Sequence, residues 1–162
     1  MKKVFVIILL FVFSTAIATA DTIILPLENH ILKYNSVASI LGAKKIDTDT
    51  KMIENDTPVY YVGSCLVSLL VDEDGVLTNA GVYKLKGSDL NDFLMSCMTV
   101  VTYLGNMDYE AYGHLLFQYS EMLNGKDNAL MWNVGNDRFE MMKKGNGDFI
   151  FLYYNYDLDC WI

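Results

Sequence analysis

An α+β domain is the fold class that this sequence predicts: an antiparallel sheet of five or six strands, covered on one face by a helix-turn-helix pair, with one short helix near the N-terminus. Three observations carry it. Two long stretches repeat apolar residues at helical spacing with only a short break between them. An Asp-Gly pair joins two β-rich runs. The last third alternates short β-rich runs with Gly/Asn turns.

In chain order, residues 21–34 read as an extended or irregular lead-in. Ser36 to Ala43 reads as a short helix, with Ser36 as cap, Val37, Ile40 and Leu41 on one face, and Gly42 at its end. Residues 44–57 alternate polar and charged side chains, as an exposed edge strand requires. Val59 to Val71 and Val76 to Lys86 then form a hairpin across Asp72-Glu73-Asp74-Gly75.

The first long helix is capped by Ser88. It places Leu90, Phe93, Leu94, Cys97, Met98, Val101 and Leu104 on one stripe and stops at Gly105. Asp108 caps the second, whose apolar face is Tyr112, Leu115, Leu116, Tyr119, Met122 and Leu123, with Gly125 as its stop. Only Asn106 and Met107 lie between them, so an antiparallel helical hairpin is expected. The closing meander runs Ala129–Val134, Arg138–Lys143 and Asp148–Tyr156, with turns at Gly135-Asn136 and Gly145-Asn146-Gly147. Phe139 and Met141 alternate with Arg138 and Glu140, which gives one buried and one wet face.

Residues 1–20 stand apart from this domain. Lys2 and Lys3 precede an apolar run from Val4 to Phe13, and Ala18-Thr19-Ala20 supplies the small residues at which a signal peptidase cuts. The stretch is short for a membrane-spanning helix. Asp21 follows the expected cut in place of a lipid-accepting Cys. The expectation is a cleaved signal peptide, then one exported domain over 21–162 with no membrane span. Removing 20 of the 162 residues leaves 142, a usual domain size, and takes Lys2 and Lys3 away, so the net charge moves from −8 to −10. That acidity argues against nucleic acid and anionic lipid, both of which reward Lys/Arg patches. Cys65, Cys97 and Cys160 are an odd set, so at least one thiol per chain stays unpaired. Any of three pairs is open, or none; a Cys65–Cys97 bridge would contribute about 3–4 kcal/mol.

The run SVASILG, then VYYVG, then VSLLVDEDGVLTNAGVY resembles the helix–Leu-Gly–strand–DxDG–strand pattern of the small exported module shared by β-lactamase-inhibitor proteins and SmpA/OmlA envelope lipoproteins. The resemblance covers residues 36–85 and implies a binding or assembly module in place of a catalyst. A faint internal repeat goes with it: helix then strands, followed by helix-turn-helix then strands.

Few residues carry candidate chemistry. His114 lies four residues beyond Glu110, and His30 follows Glu28 closely, so each is a potential base beside a carboxylate; a small secreted hydrolase is the alternative reading. No G-x-S-x-G elbow surrounds any serine. Asp72-Glu73-Asp74 lacks the later ligands of a calcium loop, and the cysteines lack paired zinc spacing. Gly145-Asn146-Gly147 lacks a phosphate loop's Lys. No metal or cofactor is expected. The unusual chemistry is aromatic: eleven tyrosines, with Tyr153, Tyr154, Tyr156 and Trp161 gathered at the C-terminal end. Tyr and Trp give contact area at low entropic cost, so these four are the candidate binding residues. The expected partner is another exported or envelope protein. A structural subunit that completes its sheet with another chain is a further alternative.

Overall fold

The computed structural model describes residues 27–54, 56–104, 109–125, 129–134, 137–145 and 147–155. Among these are three helices, α1 (Leu27–Leu41), α2 (Leu90–Tyr103) and α3 (Tyr109–Leu123). The strands are β1 (Asp47–Glu54), β2 (Thr57–Val62), β3 (Cys65–Val71), β4 (Leu77–Lys84), β5 (Ala129–Val134), β6 (Asp137–Lys143) and β7 (Phe149–Asn155). They form one open sheet in the order β1-β2-β3-β4-β7-β6-β5, with every neighbouring pair antiparallel. The class is α+β, as expected.

The sheet has seven strands instead of five or six because Val59–Val71 is two strands. Gly63 turns the chain between them at φ 59°, in the left-handed region that favours glycine. A Cβ there would run into the Asp92 carboxylate, which accepts from both the backbone N–H and the hydroxyl of Ser64 at 3.0 Å. The Asp-Gly hairpin is present. Asp72 Oδ1 accepts from the Val76 N–H at 2.8 Å, and Gly75 takes φ 77°.

The first helix is longer and earlier than expected. Residues 27–34 are helical, not irregular, because Ile31, Tyr34 and Ala38 fall at helical spacing and are all buried. Ser36 therefore sits inside α1, and its hydroxyl donates to the Leu32 carbonyl one turn back at 2.9 Å instead of capping. The cap of α2 also moves by one residue. Asp89 Oδ1 accepts from the Asn91 and Asp92 N–H groups at 2.7 and 3.1 Å, while Ser88 Oγ donates to the Ser64 carbonyl at 2.6 Å. Gly105 and the expected Asp108 cap lie outside the described residues.

The helix that packs closely on α2 is α1, and the two cover β3 and β4; α3 lies over β5 and β6. The expected pairing of the two long helices is thus replaced by a layer to which all three contribute. Side chains alternate across the strands, so one row of the covered face reads Tyr60, Val67, Val82, Phe151, Met141 and Leu130 across six strands. Phe93 and Val100 of α2 and Leu115 and Met122 of α3 press on this face. Leu116 stays exposed, against its expected place on the apolar face, because one helical step turns it about 100° from Leu115.

Cys65 and Cys97 are buried free thiols. Cys65 Sγ lies 3.9 Å from the carbonyl of Asp89, the cap of α2, and Cys97 lies within that helix. Burial pushes both thiols' pKa values up, and Cys65 adds to the rise at Cys97. Cys160 lies outside the described residues. No helix among the described residues is long and apolar enough to cross a membrane.

Candidate functional site

The face of the sheet turned away from the helices holds the candidate site. Its central row runs Val59, Ser68, Gly81, Leu152, Glu140 and Met131, and the next runs Leu70, Asn79, Tyr154, Arg138 and Asn133. Across β2, β3, β4 and β7 these rows form a hollow of about 430 Å³. Val59, Leu66, Leu70 and Leu152 give it an apolar lining, and Ser68, Asn79, Tyr83 and Tyr154 bring polar groups to it. Glu54 and Lys144, both exposed, put one charge of each sign among its lining residues.

Gly81 shapes the hollow. Tyr83, two residues on and on the same face, folds its ring over Gly81, where a Cβ would stand 2.7 Å from the Tyr83 hydroxyl and 2.8 Å from Ser68 Oγ. The Tyr83 and Ser68 hydroxyls are 3.3 Å apart and share a hydrogen bond. An aromatic ring laid over a strand glycine is a recognised way to fill the missing side chain. Tyr154 lies one strand away. Burial pushes its hydroxyl pKa up, nearby Glu140 adds to the rise, and Arg138 opposes it.

Of the four expected aromatic residues, the two that are described, Tyr153 and Tyr154, point to opposite faces of the sheet. Tyr153 faces the helices, is buried, packs on Phe139 with ring centres 5.7 Å apart, and donates to Asp137 Oδ1 at 2.9 Å. Tyr154 faces the opposite way, into the hollow. Tyr156 and Trp161 lie outside the described residues. Neighbouring strand positions point to opposite faces, so a run of tyrosines is split by its own backbone. Tyr83, Ser68 and Gly81 were not picked out in the sequence. Their signal was present as small or polar residues at Ser68, Asn79 and Gly81 inside otherwise aliphatic β runs.

The histidines give a different picture. His30 is buried on α1, its Nε2 donating to the Gly75 carbonyl at 2.9 Å. Its Nδ1 therefore accepts, and the hydroxyl of Tyr103 donates to it. Burial pushes Tyr103 up to about 12, and Lys33 Nζ lies 5.0 Å from its ring centre. Both ring nitrogens thus tie α1 to α2 and to the hairpin tip. His114 lies on α3. Among the described residues no group of three or more His, Cys, Asp or Glu is placed to hold a metal ion.

Comparison of this chain with protein-family models, with curated proteins and with solved structures finds no match.

Proposed function

We propose that this chain is an exported, non-enzymatic binding protein that holds another exported or envelope protein on the uncovered face of its sheet. The observation that carries the reading is the hollow around Tyr83, Tyr154 and Leu152. An apolar lining that also carries tyrosine hydroxyls, with single charges exposed beside it, follows the anatomy of protein–protein interfaces. Tyrosine is among the residues that dominate binding energy at such surfaces. The occupant that fits is a partner's loop presenting aliphatic or aromatic side chains, since the lining offers contact area and hydroxyl groups but little charge. The resemblance of residues 36–85 to exported binding and assembly modules points the same way, as does the leader-like run of residues 1–20.

The test is a photo-crosslinking residue placed at Leu152 in producing cells, with Leu32 on the exposed side of α1 as the control. The expected result is one discrete protein adduct at Leu152, absent at Leu32 and lost when Tyr154→Ala is added. No adduct at Leu152, or the same adduct at both positions, contradicts the proposal.

A further inference from the structure

The two edges of the sheet are built differently. β1 carries Asp47, Asp49, Lys51 and Glu54, and its ladder with β2 shifts register between Asp47 and Met52. Charges and irregular register keep edge strands from pairing with other chains. β5, at the other edge, reads Ala-Leu-Met-Trp-Asn-Val, with no charge, proline or glycine. Its register with β6 runs unbroken from Ala129↔Met142 to Val134↔Asp137. Among the described residues no strand pairs with its outer side.

A mate for β5 must oppose residues of the same parity, so that each face of the sheet continues across the junction. A second copy related by a two-fold axis at Met131 satisfies this. Met131 then meets its own equivalent, Leu130 meets Trp132, and Ala129 meets Asn133. Within β5 itself no like charges oppose each other, because the strand has none, although the Arg138 guanidinium of β6 reaches Met131 Sδ. The covered face gains most. Leu130 and Trp132 are only partly buried at the edge, whereas Phe139 and Met141 one strand inward are 1% and 0% exposed. The second copy's Trp132 and Leu130 continue that row. On the other face Met131, 58% exposed, is covered by its twin. The same operation brings α3 towards its counterpart, since α3 lies over β5 and β6. That helix exposes Leu116 and Phe117 at 51% and 59%. Helix contact adds the area that a strand ladder alone lacks for a stable interface.

We propose that two copies of this chain pair antiparallel through β5, joining their sheets into one continuous sheet. Isologous contacts of this kind close on themselves and leave no open end. Sedimentation of the protein purified from producing cells is expected to give twice the monomer mass, and Met131→Lys to return it to monomer with an unchanged circular dichroism spectrum. Met52→Lys on β1 is expected to leave the dimer intact. A second variant guards against misfolding: Met131→Cys, in a Cys160→Ser background, is expected to form a covalent dimer with oxidised glutathione, the two thiols being oxidised to one disulfide as glutathione disulfide is reduced. Met52→Cys in the same background is expected to stay monomeric on a non-reducing gel. A monomeric unsubstituted protein, or a Met131→Cys chain that crosslinks no better than Met52→Cys, overturns the proposal.

Discussion

The two faces of the sheet use the same strands for opposite ends. On the face against the helices each position in the central rows is aliphatic or aromatic, and Val67, Val82, Phe151 and Met141 stand in register with no exposure. On the other face the matching row contains a serine, a glycine and a glutamate among Val59, Leu152 and Met131. A sheet that needs only stability can leave such a face uniformly polar. Here Val59, Leu66 and Ile150 are buried although they lie on the face turned away from the described helices. The covered face thus holds the fold together, and the uncovered one keeps a partly apolar surface whose cost the fold must offset.

Substitutions that strike each face separate these roles. The largest effect is expected from Phe151→Ala, which removes a fully buried ring stacked on Phe139 at 5.8 Å and set against Trp132. Loss of about 3–5 kcal/mol in urea-unfolding stability is expected. Next is Tyr103→Phe within the helix layer. It leaves His30 Nδ1 buried without its donor, at a cost of about 1–3 kcal/mol.

The same variant changes the alkaline limb of stability. The folded protein holds the Tyr103 proton up to about pH 12, whereas the unfolded chain releases it near 10. Stability from this group is therefore complete below pH 10 and lost as pH rises from 10 to 12. The Phe variant is expected to show a shallower fall across that window in pH-dependent unfolding.

On the uncovered face, Gly81→Ala forces the Tyr83 ring off the strand and is expected to cost about 1–2 kcal/mol. Adding Tyr83→Ala relieves the clash, so a double-mutant cycle should show coupling. The smallest effect on stability belongs to Tyr154→Ala, about 1 kcal/mol or less, since its half-buried side chain faces the hollow. In the crosslinking experiment the same change is expected to have the largest effect.

How much of this was legible in the sequence follows from which signals are local. The Asp72–Gly75 turn and the α2 stripe of Phe93, Cys97 and Val101 rest on spacing alone, and both are found in place. Helix α1 was half missed, although Leu27, Ile31, Tyr34 and Ala38 carry the helical period. Asn29, His30 and Asn35 interrupt it with polar groups whose partners lie far along the chain: the Gly75 carbonyl and Tyr103 for His30, the Ile46 backbone for Asn35. The seventh strand was hidden because Gly63-Ser64 turns against Asp92, a contact spanning 28 residues. The candidate site was least legible. Period-two alternation separates Tyr153 from Tyr154, but which face the helices choose is set by tertiary packing, and so is the meeting of Tyr83, Ser68 and Leu152.

Paired cysteine substitutions at adjoining positions test the central claim, that the helices cover one side of the sheet and leave the other accessible. Leu152→Cys places a thiol in the hollow, while Val82→Cys, beside Leu152's register partner Gly81, places one under the helix layer. Maleimide labelling of the folded variants, corrected for the unsubstituted protein, should modify Leu152→Cys rapidly and Val82→Cys only after unfolding in urea. Equal protection of both thiols, or equal reactivity, would contradict the account.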